Sequence, residues 1–220
     1  MLRFEDEALT STSETSTLPT ERTSAAHESE ELTVKGIVFN LLEDFIIDGW
    51  GDEAFEDILS LCPLETKEPF VGPGTYPDTD LFTIATQAAN KLGVPLSDAL
   101  RAFGKYALPK LLKKYPTFLE GHTDARSFLE SVDGVIHVEV RKLMPKAITP
   151  QFTYEDSGPD GLIIRYASAR KLCHLMEGML EAVGEHFGQD LEYQQNRCLH
   201  SGDDHCEFVL KFGSVKARVA

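Results

Sequence analysis

The period of the hydrophobic residues changes after Pro145, and this change constrains the fold more than any other feature. Before Pro145, apolar residues recur every three or four positions, as in helices that bury one face; after it they mostly alternate, as in half-buried strands. The predicted helices cover about residues 35–48, 52–61, 80–92, 97–114 and 124–144. The predicted strands cover about 151–155, 162–168, 191–198 and 206–212, with one more helix at 172–188. This order predicts an α+β fold, in which an N-terminal helical subdomain packs on a mostly antiparallel sheet with an inserted helix.

Local signals set the expected ends of several elements. The run Asp78-Thr79-Asp80 and, further on, Ser97 are typical of helix N-caps, because their side-chain oxygens can accept hydrogen bonds from the first backbone N–H groups. Pro109 is expected to bend or break the helix over 97–114. The stretch 69–77, rich in proline and glycine, is expected to be loop.

Residues 1–34 differ in composition from the rest of the chain. Twelve of them are Ser or Thr, eight are acidic and two are basic, and Phe4 is the only aromatic residue. Such a segment cannot bury enough apolar surface to offset its chain entropy. We therefore predict a disordered acidic tail over 1–34 and one folded domain over 35–213.

Charge and motif content exclude several functional classes. With 36 acidic and 21 basic residues the formal net charge is −15, which disfavours binding to nucleic acid or anionic membranes, because both need an excess of Lys and Arg. No apolar run reaches the roughly 18–20 residues of a spanning helix and no secretory signal is evident, so we expect a cytoplasmic protein. The sequence has no nucleophile elbow, phosphate-binding loop or framed pair of catalytic carboxylates, and we expect it not to be an enzyme.

Tyr166, Ser168 and Arg170 alternate along a predicted strand and would share one face of it. All three side chains donate hydrogen bonds, and an arginine can bind a carboxylate through two of its donors. The pattern therefore suits an anionic group such as a carboxylate or a phosphate. A polar, solvated strand face would show the same alternation and stays open as an alternative.

His137 lies among apolar residues in the predicted helix over 124–144. A lone helical histidine of this kind is typical of a packed side chain whose hydrogen bonds are satisfied. It would also suit an axial ligand to haem iron, which needs a neutral imidazole in an apolar pocket. Gly134, three residues earlier, would leave room beside it.

Together these residues carry a resemblance. From Lys35 to about Phe212 the chain resembles the haem-nitric oxide/oxygen-binding (H-NOX) domains, which are related to the haem domain of soluble guanylate cyclase. The most specific motif, Tyr-x-Ser-x-Arg, stands at 166–170, and the family's proximal histidine falls 29 residues before it. The resemblance implies a haem b between the two subdomains. It assigns His137 to the haem iron, Tyr166, Ser168 and Arg170 to the haem propionates, and Pro150 to distortion of the haem.

The same resemblance assigns the wall of the pocket that faces a bound gas. This distal wall would consist of Val38 and Leu42 from the first helix, and of Leu175 and Met179 from the helix over 172–188. Oxygen-binding members carry a tyrosine at the Leu175 position. None of these side chains offers a strong hydrogen-bond donor, which bound O₂ needs far more than NO does. We therefore expect NO binding to ferrous haem and weak or no stable O₂ binding, although the same spacing also suits plain core packing.

The resemblance also implies how a signal leaves the domain. NO binding weakens the bond between iron and His137, so that the helix bearing His137 is released and the porphyrin, strained against Pro150, can relax. The two states then differ in how the helical part sits on the sheet part. The family implies a separate partner, a histidine kinase or a diguanylate cyclase, and control of biofilm formation or quorum sensing.

Three cysteines in the C-terminal part form a second candidate site. A turn at 201–204 would bring Cys198 and Cys206 together across a hairpin, and Cys173 on the neighbouring helix could complete the trio. Three thiolates and one imidazole make a closed zinc site, whereas three buried thiols without metal are the plainer alternative. Cys62 has no partner in sequence and is expected in the core.

The fourth zinc ligand is where this chain departs from the family pattern. A bacterial subgroup of the family carries zinc on cysteines at these three positions, with a histidine where this chain has Gln195. His200, His205 or a water would take the place of this histidine, or the site would bind zinc weakly. Oxidation of the thiols would then make the protein a thiol/zinc redox sensor, which is our alternative function.

The resemblance bears on the tail as well. The family's domains typically begin with Met-Lys-Gly, and Val34-Lys35-Gly36 stands at that place. We hypothesise that Val34, read from a GTG codon, is the true start and that residues 1–33 are upstream translation.

Overall fold

The computed structural model describes residues 32–143 and 147–215. Most of the predicted tail, residues 1–31, lies outside this part, as does residue 144 at the end of the fifth predicted helix. Within it, Thr33–Lys35 forms strand β1, and the Asp78 N–H donates to the Leu32 carbonyl oxygen over 3.0 Å. Thr33 and Val34, which the prediction assigned to the tail, are therefore part of a paired strand.

Four helices make up the first half of the described chain. Each buries an apolar face, as the spacing predicts, and the shared core centres on Phe39, Ile46 and Ile58. Among the described residues, no helix is both long and apolar enough to cross a membrane. The four are α1 (Gly36–Trp50), α2 (Asp52–Ser60), α3 (Asp78–Leu92) and α4 (Leu96–Lys114).

The predicted caps are absent, and Pro109 does not break its helix. The Asp80 carboxylate accepts hydrogen bonds from two backbone N–H groups of the preceding loop, over 2.8 and 2.9 Å, instead of capping α3. The Ser97 side chain makes no capping hydrogen bond at the start of α4 either. α4 continues through Pro109. Proline has no N–H group, so one carbonyl oxygen of the preceding turn loses its helical hydrogen bond. Because Pro109 is exposed, water can reach this oxygen.

The predicted loop at 69–77 ends in a short strand, β2 (Thr75–Pro77). β2 pairs antiparallel with β1, and Val34 lies opposite Tyr76. Strands of three residues are too short for a period of two to be recognised in the sequence.

The predicted helix over 124–144 consists of three segments. α5 (Ala125–Ser131) is followed by one turn of π-helix at Val132–Ile136 and then by α6 (His137–Leu143). A π-turn bonds over five residues instead of four, and such turns are frequent at functional sites. His137 is the first residue after this irregular turn.

A four-stranded antiparallel sheet, in the order β3-β4-β6-β5, forms the second half of the chain. Helix α7 (Cys173–Phe187) connects β4 to β5, and its Leu180 is buried in one core with Ile164 and Phe208 of the sheet. The α+β prediction with an inserted helix is confirmed. The strands are β3 (Gln151–Asp156), β4 (Gly161–Ala167), β5 (Gln189–Arg197) and β6 (Cys206–Val215).

Helices α4 and α7 join the two halves in a very close crossing. A Cβ on Gly104 would lie 2.1 Å from the Leu175 carbonyl oxygen, and a Cβ on Gly178 would lie 1.8 Å from the Arg101 carbonyl oxygen. Real Cβ atoms essentially never approach another atom within 3.0 Å. The backbones can therefore meet only because both positions are glycine.

Candidate functional site

A cavity of about 380 Å³ lies between the two cores and is lined mostly by apolar side chains from both of them. A volume and a lining of this kind are typical of sites for small molecules and cofactors. The fold brings together the residues predicted for the haem iron, for haem distortion and for the distal wall. Those that line the cavity are Val38, Leu42, His137, Pro150, Leu175 and Met179.

His137 is one of the residues that line this cavity. The Nδ1 atom is buried without a hydrogen-bond partner, and the Asp133 carboxylate stands 3.6 Å from it. Burial lowers the pKa of His137 despite the opposing charge of Asp133, so the neutral imidazole is favoured. A neutral imidazole is the form that binds transition metals.

Arg170 also lines the cavity, and three contacts fix its guanidinium. Nε donates to the Asp78 carboxylate (3.2 Å), Nη1 to the Ile148 carbonyl oxygen (2.9 Å) and Nη2 to the Thr33 carbonyl oxygen (2.6 Å). A guanidinium has five N–H donors, so two remain for an anionic ligand. The Arg170 and Asp78 side chains are only 8% and 10% exposed, and their charges compensate each other in a buried environment.

The sequence did not predict either of the hydrogen-bond partners that Arg170 has in the first half of the chain. Asp78 was predicted as a helix cap and Thr33 as part of the tail. No local pattern could have shown that they approach Arg170, which lies 92 and 137 positions away in the chain.

Tyr166, Ser168 and Arg170 do not share a strand face, so that interpretation of their spacing is wrong. β4 ends one residue after Tyr166, and Lys171 has a φ of +51°, so the chain turns at this point. The Tyr166 hydroxyl accepts from the Leu172 N–H (3.1 Å) and the Ser168 hydroxyl from the Arg170 N–H (3.2 Å). Ser168 lines a smaller pocket that also contacts Arg170, while Tyr166 lines neither pocket. A role for either hydroxyl in holding propionates stays a prediction.

Two tyrosines on the cavity wall were not predicted. Tyr115 directly follows α4, and Tyr154 lies on β3 near Asp133. The Tyr154 hydroxyl is buried without a hydrogen-bond partner, and burial raises its pKa to about 12, so it stays protonated. Neither residue belongs to a recognisable motif, and only the packing of distant elements brings them to the cavity.

The three C-terminal cysteines lie together. Their Sγ atoms are within 4.8 Å of one another, and those of Cys173 and Cys198 are 3.9 Å apart. Burial raises the pKa of Cys173 to about 12 and also raises that of Cys206, so both are protonated thiols in the absence of a metal. Cys62, expected in the core, is half-buried and donates to a carbonyl oxygen of α2 over 3.1 Å.

Across residues 32–143 and 147–215, no imidazole completes the three-cysteine group. His205 belongs to no cluster of metal-ligating atoms, and its Nδ1 lies 2.6 Å from an adjacent carboxylate. His200 forms a different group, with Cys173 and His174. Gln195 leaves its side-chain nitrogen buried without a hydrogen-bond partner.

Comparison with known proteins gives a consistent match. The haem-NO-binding family model matches residues 35–195. The H-NOX protein of Shewanella oneidensis in its Fe(II)NO state is 28% identical, with a TM-score of 0.78 over 82% of this chain and 100% of that one. The unliganded Fe(II) H-NOX protein of K. algicida is 26% identical, with a TM-score of 0.76 over 82% and 97%.

A more distant structure supports the fold alone. It is an oxygen-binding H-NOX domain related to soluble guanylate cyclases, 17% identical, with a TM-score of 0.70 over 83% of this chain and 96% of that one.

Proposed function

This chain belongs to the haem-NO-binding (H-NOX) family, whose domains are haem-based gas sensors, and we propose that it senses nitric oxide and signals to a separate protein. The observation that carries the proposal is that His137 and Arg170 both line one apolar cavity. A sensor of this kind works by a change of shape, and we expect no catalytic activity in the chain itself.

The residues of the cavity fit a haem. His137 offers a neutral imidazole for the iron, the apolar walls suit a porphyrin, and Arg170 keeps two N–H donors for a carboxylate. Haem b is the form proposed, because the sequence has no Cys-x-x-Cys-His site for covalent attachment. When bound, the haem would supply an iron that His137 would ligate and that would bind the gas.

The distal wall favours NO over O₂. Val38, Leu42, Leu175 and Met179 offer no hydrogen-bond donor to a bound gas. Bound O₂ carries partial negative charge and needs such a donor, whereas NO binds ferrous iron tightly without one. Of the two tyrosines on the wall, Tyr154 lies near Asp133 and therefore on the His137 side.

The output would leave through the segment that carries His137. This residue opens α6 directly after the π-turn, so a change in its ligation acts on a helix that is already irregular. Val135 and Leu143 on the same segment are 55% and 62% exposed, and a shift of the segment would change the apolar surface that they present. The family resemblance proposes a histidine kinase or a diguanylate cyclase as the partner that this surface would contact.

Absorption spectra of the reduced, haem-loaded protein test the sensing proposal. We expect a Soret band that shifts when NO is added and stays unchanged in air over minutes. His137→Ala should abolish or shift the band of the unliganded protein, whereas His205→Ala, which lies outside the cavity, should not. Absence of a Soret band after haem reconstitution would refute the proposal.

A pair of substitutions tests the role of the distal wall. Leu175→Tyr adds a hydroxyl at a position that lines the cavity, and Leu175→Phe adds the same ring without it. A hydrogen bond to a charged group is worth roughly 1.5–3 kcal/mol, so Leu175→Tyr should raise O₂ affinity at least about tenfold over Leu175→Phe. Stable O₂ binding by the wild type would overturn the argument from the donor-free wall, and Tyr115→Phe would then identify the donor.

The three-cysteine group supports the second candidate function, a thiol/zinc redox sensor. The three sulfur atoms are close enough to bind one zinc ion or to form a disulfide after a small shift, but burial keeps Cys173 and Cys206 protonated and therefore slow to oxidise. A redox role would thus need a metal that displaces the thiol protons. Metal analysis and thiol titration of wild type and Cys198→Ala, before and after peroxide, test this candidate.

A further inference from the structure

Cys173 belongs to a second group of metal-ligating atoms, which it forms with two histidines. Cys173 and His174 open helix α7, and His200 lies in the 3₁₀ turn Leu199–Ser201. One ligand atom of each residue lies within 4.8 Å of those of the other two. None of the three lines the cavity, so the group is separate from the haem site.

Hydrogen bonds fix which nitrogen of each imidazole carries a proton. His174 Nδ1 lies 3.0 Å from the Glu177 carboxylate, and His200 Nε2 lies 2.8 Å from the Lys171 carbonyl oxygen. Both oxygens can only accept, so these two nitrogens must be the donors. The lone pairs then belong to His174 Nε2 and His200 Nδ1. A ring N–H donated to a carboxylate or a backbone carbonyl is the support that metal-ligating histidines almost always have.

The surroundings of the group suit a metal that exchanges with solvent. Cys173 is fully buried, the His174 side chain is 32% exposed, and His200 is exposed. The two imidazole rings face each other, with centroids 5.5 Å apart and planes 13° from parallel. The sulfur thus lies at the bottom of the group and the nitrogens at the protein surface, where water can complete a coordination shell.

We propose that Cys173, His174 and His200 form a surface site for a divalent cation of the zinc class, bound by one thiolate, two imidazoles and water. One thiolate and two imidazoles are a ligand set that zinc accepts, and three protein ligands leave a fourth position open. The three-cysteine group shares Cys173 but, among the described residues, includes no imidazole. The proposed ion takes the two imidazoles beside Cys173, and the three-cysteine group is the competing site. This site goes beyond the proposed gas sensing and does not depend on it.

Zinc K-edge absorption spectroscopy on the reduced, haem-loaded full chain decides the ligand set directly. The protein is stripped of metal with a chelator, loaded with one equivalent of Zn²⁺, and freed of excess ion. We expect about one sulfur at about 2.3 Å and two or three nitrogen or oxygen ligands at about 2.0–2.1 Å. Three sulfur ligands, or no zinc retained after loading, would overturn the proposal without any variant.

Competition with a fluorescent zinc chelator then assigns the ligands. His174→Ala and His200→Ala should each lower the affinity for Zn²⁺ at least tenfold, and His205→Ala, a histidine outside the group, should leave it unchanged. Cys198→Ser should keep the affinity within threefold. The opposite result, loss of binding in Cys198→Ser with the histidine variants unaffected, would place the metal on the three cysteines instead. An unchanged far-ultraviolet circular dichroism spectrum shows that each variant is folded.

Discussion

The crossing of α4 and α7 makes Gly178→Ala the most informative substitution in this domain. The new Cβ would lie 1.8 Å from the Arg101 carbonyl oxygen and 2.8 Å from the Lys105 nitrogen, both of them backbone atoms that cannot rotate away. To restore a distance of 3.0 Å to that oxygen, the helices must separate by at least 1.2 Å. Because Leu175 and Met179 flank this position on α7, the separation would also shift the distal wall of the cavity.

The expected cost follows from this displacement. Extra methylenes in a packed interior typically cost 1–3 kcal/mol, while replacing a helical glycine by alanine returns about 0.5–1 kcal/mol. We therefore expect Gly178→Ala to lower the free energy of unfolding by about 1–2 kcal/mol, which corresponds to a decrease of roughly 2–8 °C in Tm for a domain of this size.

Urea unfolding of the haem-loaded protein, followed by circular dichroism, measures this cost. Gly49→Ala is the matched control, because Gly49 is also helical and nothing lies within 4 Å of its added Cβ. The control should be more stable than wild type by about 0.5–1 kcal/mol. Gly104→Ala combined with Gly178→Ala should cost less than the sum, since one separation relieves both clashes. A Gly178→Ala variant as stable as Gly49→Ala would refute the close crossing.

Three further predictions concern buried polar groups. Asp78→Asn removes the charge that compensates Arg170 and should lower the free energy of unfolding by about 3 kcal/mol, measured with urea; a loss below 1 kcal/mol would show that the two carbonyl oxygens suffice. In the haem-free protein, burial lowers the pKa of His137, so its neutral form stabilises the fold. This contribution is fully present above the unfolded pKa near 6.5 and is lost as pH falls through the folded pKa. The free energy of unfolding should therefore decline from pH 7.5 to pH 5, and it should decline less steeply in His137→Ala. The family resemblance puts a zinc-binding histidine at Gln195, whose side-chain nitrogen is buried without a partner. In Gln195→His, zinc absorption spectra should therefore change to three sulfur ligands and one nitrogen, and an unchanged spectrum would contradict that assignment.

Elements that depend on local pattern could be predicted from the sequence. The helices and strands with an extended apolar period were found within a few residues of their ends, and the α+β order followed from them. Predictions that relied on a single residue were less successful. The Asp80 side chain could cap a helix. Instead it accepts hydrogen bonds from two backbone N–H groups of a loop, fifteen and fourteen positions earlier in the chain, which would otherwise be unpaired.

In the candidate site, too, residues fixed by a sequence pattern were predicted, and residues brought in by tertiary packing were not. His137 and the distal wall were assigned because the family motif fixes their spacing, and the fold does bring them to one cavity. Asp78, Thr33 and Tyr154 were missed, since they reach the site only through tertiary packing. The strand that contains Tyr166 was predicted to continue too far, because nothing in the alternation of residues marks the point where the chain turns.

The π-turn before His137 has a consequence for how the domain tolerates changes of length. A π-turn contains one residue more than a regular α-turn, so deletion of any one residue within Val132–Ile136 would let the segment from α5 to α6 close into a continuous α-helix. The π-turn takes up its extra residue locally, so the healed helix would keep α6 in phase with α5 and would leave His137 on the cavity wall. A shorter homologue with a regular helix here must therefore carry its histidine one position differently, and an alignment that ignores the insertion would misplace it.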